Sequence, residues 1–221
     1  GVLTDGNNKI IRCKIDKNRI LPRLPGSTFN CAGINQAEGT LIIRNSIIRR
    51  NKTAGSGGGL GVGGYAEVYN SLFVKNQGAA GGGGILIDSE GTADIINCVL
   101  YKNRSAVSSG GWWGGSSYSG SIVMRGAMSV INTIAWSNAG GVDSRLYPQN
   151  SIYTDTDEFQ FVSGEGNLFE NPLFEDASRG NFELQTTSPC RNAGHTGDLY
   201  NDVNGSRNDM GIYGGPYGND W

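Results

Sequence analysis

Four heptapeptides in the middle of this chain match one another position by position: NSIIRRN (45–51), NSLFVKN (70–76), NCVLYKN (97–103) and NTIAWSN (132–138). Each begins and ends with Asn and has a hydroxyl or thiol residue second. Their starts are 25, 27 and 35 residues apart. A weaker copy, RCKIDKN (12–18), precedes them with Arg12 in the first Asn place, and a degenerate one, NSIYTDT (150–156), follows. Units this small cannot bury a core alone, so a repeat of this period implies that they stack on one another.

Aligned on its first residue, the repeat has an apolar column two places earlier (Ile10, Ile43, Val68, Ile95, Val130) and another three places later (Ile15, Ile48, Phe73, Leu100, Ala135, Tyr153). A hydroxyl or thiol column lies one place later (Cys13, Ser46, Ser71, Cys98, Thr133, Ser151). Upstream, Ile34, Leu60, Ile85 and Ile122 form a further column, with Val62, Ile87 and Met124 two residues on. Apolar residues two apart in runs of about five, rich in Ile and Val, indicate strands. Three short strands per unit, stacked roughly 4.8 Å apart, make an all-β parallel solenoid. The shared Asn suits a repeated turn, because Asn tolerates left-handed backbone.

The GGGL at 57–60, the GGGI at 82–85 and the patterns Phe73-Val-Lys-Asn76 and Ile48-Arg-Arg-Asn51 resemble the right-handed parallel β-helix repeat of the pectin-lyase-like superfamily. In particular they resemble the GGA(I/L) and FxxN repeats of polymorphic outer-membrane proteins. The likeness covers roughly residues 8–155 and implies a right-handed β-helix. It implies no single activity, since lyases, adhesins and surface proteins share the fold.

The solenoid is expected over 1–155, with insertions at about 19–31 and 104–120, and a C-terminal capping segment over 156–221. The tail reads NPLFEDASRGNFELQTTSPCRNAG (171–194), then NDVNGSRNDMGIYG (201–214). It is similar to the C-terminal portion of secreted β-helix proteins known as choice-of-anchor Q domain proteins. Asn171-Pro172-Leu173-Phe174, Ser188-Pro189, Asn192-Ala193-Gly194, Arg207, Asp209 and Gly211 match that pattern, whereas Asn204 and Ile212-Tyr213-Gly214 depart from it. Physically, the last coil of a solenoid exposes strand edges and core, and the tail is expected to fold over that end.

The 36 glycines fall mostly in the turns and insertions of the repeat, so they read as ordered rather than low-complexity. A net charge of −2 argues against a general nucleic-acid binder. No apolar run approaches the ~18 residues of a membrane span. Gly at position 1, where Met would stand, is expected of a chain from which a leader or longer N-terminal stretch has been removed. The repeat and the Asn, Gly and Ser content lead to the expectation of an extracellular or cell-surface protein.

Candidate sites follow from what breaks the repeat. Five places after its first residue stand Lys17, Arg50, Lys75 and Lys102, interrupted by Ser137, and beside them lie Tyr101 and Trp136. Such a basic ladder is either a solvated face or a binding surface for acidic polysaccharide, with charges for the acid groups and rings for the sugars. Trp112 and Trp113, between paired glycines, read as a contact loop for a glycan or another subunit, or as a flap over the solenoid. Asp202, Asn204 and Asp209 are either turn residues or oxygen ligands for Ca²⁺; no other cofactor is expected.

Of the four cysteines, Cys13 and Cys98 share a column about three coils apart, roughly 14 Å by strand spacing, beyond the ~7 Å that a disulfide spans. Cys13 with Cys31 is the expected pair, the alternative being buried free thiols. Asn51, Asn103 and Asn204 match the N-glycosylation pattern. The single His and the lack of an outward acidic column in the first four copies give catalysis thin support, and Asp155, Asp157 and Glu158 read as a solvated loop. The expected function is a non-catalytic structural or adhesive protein, self-associating end to end into filaments or arrays. The alternative is a glycan-binding module, or a lyase or hydrolase acting on acidic polysaccharide.

Overall fold

The computed structural model of the protein describes residues 1–20, 31–79, 81–105, 121–138, 151–157 and 164–221. Within them the chain winds through six stacked coils of short parallel strands, a parallel β-helix. Coil 1 carries Val2–Thr4, Asn8–Ile11, Lys14–Asp16 and Arg19–Ile20, and coil 2 carries Ile34–Gln36, Thr40–Arg44, Ile47–Arg49 and Lys52–Thr53. Coils 3 and 4 repeat this order from Leu60 and Ile85, coil 5 from Ile122, and Ser151–Ile152 with Asp155–Thr156 form coil 6. Equivalent strands pair in register into four parallel sheets of five, six, six and four strands. The repeat predicts the first three sheets. The fourth is built of two-residue strands just after the second Asn, too short to leave an apolar alternation in the sequence.

The register matches the sequence columns. Ile43, Val68, Ile95 and Val130 lie directly opposite one another along the second sheet, and Ile48, Phe73, Leu100 and Ala135 along the third. All face one continuous apolar core and are buried. Each large side chain there contributes on the order of 2 kcal/mol by leaving water. The glycines before the first sheet allow the coils to close up. A Cβ on Gly59 would lie 2.5 Å from the Gly84 carbonyl oxygen of the next coil, and one on Gly84 2.5 Å from that of Ser121.

The sixth copy corrects the alignment. Ser151 pairs with Val130 and Asp155 with Ile134, so Tyr153, not Asn150, stands in the first Asn place. Tyr153 has the same left-handed backbone, with φ 50°. Thr154 takes the hydroxyl position, its Oγ1 donating two residues back to Ile152 O at 3.2 Å. The shift of three residues is hidden in sequence because Asp155 and Thr156 occupy places that are apolar in coils 2 to 5.

The two asparagines of each heptapeptide do different work. The first turn is left-handed at Arg12, Asn45, Asn70, Asn97 and Asn132, with φ between 43° and 53°. The second is left-handed not at its Asn but one residue earlier, at Lys17, Arg50, Lys75, Lys102 and Ser137, with φ between 53° and 58°. The second Asn turns inward instead. Asn18, Asn51, Asn76, Asn103 and Asn138 form a ladder in which each N–H and Nδ2 donates to the Oδ1 of the next coil's Asn. The hydroxyl column forms a shorter ladder beside it: Cys13 N donates to Ser46 Oγ, Ser46 N to Ser71 Oγ, and Cys98 N to Thr133 Oγ1.

The tail lies along the solenoid rather than over its end. Among the described residues, the stretch around Glu165–Leu168 stacks on coil 6, where Tyr153 N donates to Glu165 O and Leu168 N to Thr154 O. Beyond it the chain forms an antiparallel hairpin, Phe174–Asp176 and Asn181–Leu184, and then runs back along the outside as a strap. The first-Asn column holds the strap in sequence order. Asn132 Oδ1 accepts from His195 N, Asn97 Nδ2 donates to Asp209 O, and Asn70 Nδ2 donates to Ile212 O and Gly214 O. Asn45 Nδ2 then donates to Tyr217 O, and Arg12, in the Asn place of coil 1, donates to Asp220 O. Beneath the strap, Phe182, Cys190, Met210 and Ile212 cover Leu72, Val74, Val99, Tyr101 and Ile134 on the outer face of the third sheet.

Candidate functional site: a basic stripe and groove

The second, left-handed turn places Lys17, Arg50, Lys75 and Lys102 on the outside, all exposed. Two residues on, the fourth sheet sets Arg19, Lys52, Gln77 and Arg104 in register. The first basic ladder was visible in the sequence. The second follows from it by counting two places past each ladder residue. Together the columns flank the buried Asn ladder and make a stripe of seven cations over four coils, roughly 14 Å by strand spacing. Among the described residues, only Arg50 of the seven forms an ion pair. Glu67 and Asp94 sit on the second sheet, directly opposite each other, so those two acids do share a column.

Beside the stripe, an open groove of about 270 Å³ lies between the third sheet and the turn of the hairpin. Its floor is apolar, formed by Ile47, Leu72, Val74 and Phe182, and its rim carries Arg49, Arg50, Lys75 and Arg179. Arg49 and Arg50 both bind Asp16, at 3.0 and 2.6 Å. The Arg50 hydrogen bond, then that of Arg49, holds the Asp16 carboxyl down at about 2, so it stays ionised at any ordinary pH. Arg179 lies 3.6 Å from Asp176. Four cations against two acids leave the rim positive. The groove lies where the cover of the third sheet ends, between coils 2 and 3, as its outer residues change along the axis. They are apolar in Leu72–Val74 and Val99–Tyr101, where the strap covers them, and charged at Lys14, Asp16 and Arg49, where it does not.

The other predicted residues are placed as follows. Tyr101 is buried, edge-on to Phe182 at 5.3 Å and Phe174 at 6.2 Å, with the Lys102 ammonium 5.0 Å from its ring centre. Trp136 is half-buried against the same cluster. Their rings seat the tail and are not exposed platforms for sugars, because the chain's own strap reaches that face first. Trp112 and Trp113 lie outside the described residues, as do most of both insertions. Asn51 and Asn103 are fully buried in the ladder, so the folded chain offers no acceptor amide there, whereas Asn204 is exposed.

Asp202 accepts from the backbone N–H groups of Asp209 and Gly215, Asn204 accepts from Ser206, and Asp209 accepts from Asn192 N. Their oxygens shape turns of the strap. All four thiols are free, so Cys13 and Cys31 are not joined. Cys13 is exposed at the first turn of coil 1, with its Sγ directed to Ile11 O, while Cys31 is buried ahead of the first sheet with its Sγ directed to Ser56 O. Burial pushes the Cys31 and Cys98 thiols up to about 12, which keeps them unreactive.

Asp155 is not in a solvated loop. It is fully buried, its Oδ2 accepting from Cys190 Sγ at 3.2 Å and its Oδ1 from Glu170 N. Burial raises its carboxyl to about 6. Asp157 is half-buried and accepts from Ser137 N at 2.6 Å. Among the described residues no helix is long and apolar enough to cross a membrane. No family model matches this chain, and neither a curated protein nor a solved structure matches it.

Proposed function

We propose that this is an extracellular, non-catalytic adhesive β-helix that holds anionic polysaccharide along its basic stripe. The observation that carries the reading is the double column itself. Four of its cations occupy left-handed backbone, which opposes a side chain with a Cβ by roughly 1–2 kcal/mol. The neighbouring turn meets the same demand with Asn, which tolerates it. Like charges one strand spacing apart add roughly 0.2–1 kcal/mol of repulsion per pair. A polyanion relieves the repulsion between these charges. The likeness of the repeats to those of polymorphic outer-membrane proteins, and of the tail to choice-of-anchor Q domains, favours a surface location.

The test is retention of the whole chain on immobilised acidic polysaccharide across a salt series. Binding is expected at low salt and is expected to weaken steeply as screening shortens the range of the charges. The paired change Lys75→Glu with Lys102→Glu is expected to lower affinity at least tenfold. No retention at low salt, or retention unchanged by the double variant, overturns the reading.

End-to-end self-association is a second reading, favoured by one observation. Among the described residues, the strands of coil 1 are paired on one side only, and such an open edge recruits further strands. Contact of that kind is heterologous unless two first coils meet. A single species of constant mass over a concentration series in light scattering would sink it.

A further inference from the structure

We propose that the groove under the hairpin is a subsite for one acidic sugar ring, distinct from the stripe beside it and responsible for selecting among polyanions. This rests on the stripe being a surface for anionic polymer. A stripe of flexible cations reads charge alone and does not tell a sugar acid from any other polyanion. The groove adds shape. At about 270 Å³ it falls just under the roughly 300 Å³ where pockets for drug-sized ligands begin. It therefore suits a single ring rather than a longer segment.

Ile47, half-buried, presents an apolar side chain to the C–H face of a pyranose, with the nearly buried Leu72, Val74 and Phe182 beneath the groove. Arg50 and Lys75 on one wall and Arg179 on the other meet an acid group at the ring's edge. The guanidinium of Arg50 is already fixed by Asp16, with Nε 2.9 Å from Oδ1 and Nη2 2.6 Å from Oδ2, so a bound acid group meets it in a set orientation. Arg50 and Lys75 also belong to the stripe, so a ring in the groove continues directly into chain lying along the cations. A sugar acid free in solution and one inside a polymer present the same chemistry to this site.

The experiment compares the affinity of the whole chain for an oligoglucuronate and for a linear polyphosphate of equal charge, which has no ring. Wild type is expected to prefer the oligoglucuronate at least fivefold. Ala177→Trp, which fills the groove from the hairpin side, is expected to remove that preference. Arg179→Gln, at a side chain 88% exposed and so harmless to folding, is expected to halve it or more. Lys102→Glu with Arg104→Glu, in the stripe alone, is expected to weaken both ligands together. If neither ligand binds wild type, the stripe reading fails. If both bind and the preference is absent, or survives both groove variants, the stripe stands and the groove inference is overturned. Monomeric glucuronate competing as well as the oligoglucuronate assigns the occupant as free sugar acid, and affinity rising with chain length assigns it as part of a polymer; both support the subsite.

Discussion

Asn76 is tied twice to a single atom of Asn103: its backbone N–H and its Nδ2 each donate to Asn103 Oδ1 at 3.0 Å. The same unit is repeated from Asn18 to Asn138, so one side-chain oxygen per coil satisfies two donors from the coil before it. Six residues upstream of Asn76, Asn70 has the same side chain and points outward, where it holds the strap. The backbone separates the two: Asn70 has φ 43°, whereas Asn76 follows the left-handed residue instead of being it.

Asn76→Ala is expected to be severely destabilising. It removes the acceptor for Asn51 N and Asn51 Nδ2 and the donor to Ile48 O, all fully buried. Each orphaned group costs about 1–3 kcal/mol, so the loss in urea unfolding is expected to exceed about 3 kcal/mol. Asn138→Ala, at the half-exposed end of the ladder, is expected to cost much less. Equal losses at the two sites would show that the ladder is not the source of the effect.

Lys75→Gly is expected to raise stability while weakening polyanion binding. Lys75 is exposed and left-handed, with φ 55°, and glycine adopts that backbone without steric penalty. A gain of about 1 kcal/mol in unfolding free energy is expected, together with lower retention on acidic polysaccharide. A stabilised variant with unchanged retention would remove Lys75 from the binding surface.

The strap is expected to loosen without the solenoid unfolding when its Asn column is cut. Asn70→Ala deletes the donors to Ile212 O and Gly214 O. Hydrogen exchange is expected to rise through 209–220 by an order of magnitude, while amides of Val68 and Ile95 in the core keep their protection. Uniform acceleration across both regions would mean that strap and coils open as one unit.

Acidification from pH 8 to about 5 is expected to stabilise the fold through Asp155. Its carboxyl is raised by burial to about 6 in the folded chain, against about 3.9 when unfolded. The folded state therefore binds the proton more tightly. The destabilisation is fully present above pH 6 and is relieved as pH falls through 6 toward 4, by on the order of 2 kcal/mol. Asp155→Asn keeps the acceptor for Glu170 N, turns an amide donor toward Cys190 Sγ, and is expected to flatten that slope in pH-dependent thermal melts. An unchanged slope would place its origin elsewhere, with Asp157 and Asp202, both also raised by burial, as the next groups to change.

Much of the coil is legible in the sequence. Ile43, Val68, Ile95 and Val130 lie in one line in the sequence and in one line in space, because stacking in register turns a repeat directly into a contact. The buried outer face of the third sheet also left a signal, since Leu72-Phe73-Val74 is apolar on consecutive residues and so on both faces. What covers it left none. The partners of Asn70 and Asn97 are backbone carbonyls more than a hundred residues away, and a carbonyl has no sequence signature. The sixth copy was misread by three residues for the opposite reason. Its Asn is replaced by Tyr153 and its apolar place by Asp155, so local chemistry pointed to the wrong register.

The sequence by itself therefore determined the solenoid, its strand columns, its left-handed turns and one line of outward cations, since each is a local pattern multiplied by stacking. Only the tertiary structure decided which Asn faces in and which faces out, that the tail lies along the flank, and that Tyr101 and Trp136 are covered by it. It also decided that a second basic column and an apolar-floored groove stand beside the first. Those outcomes depend on which distant segment reaches an exposed face, and the packing of non-repeating chain on repeating chain sets that.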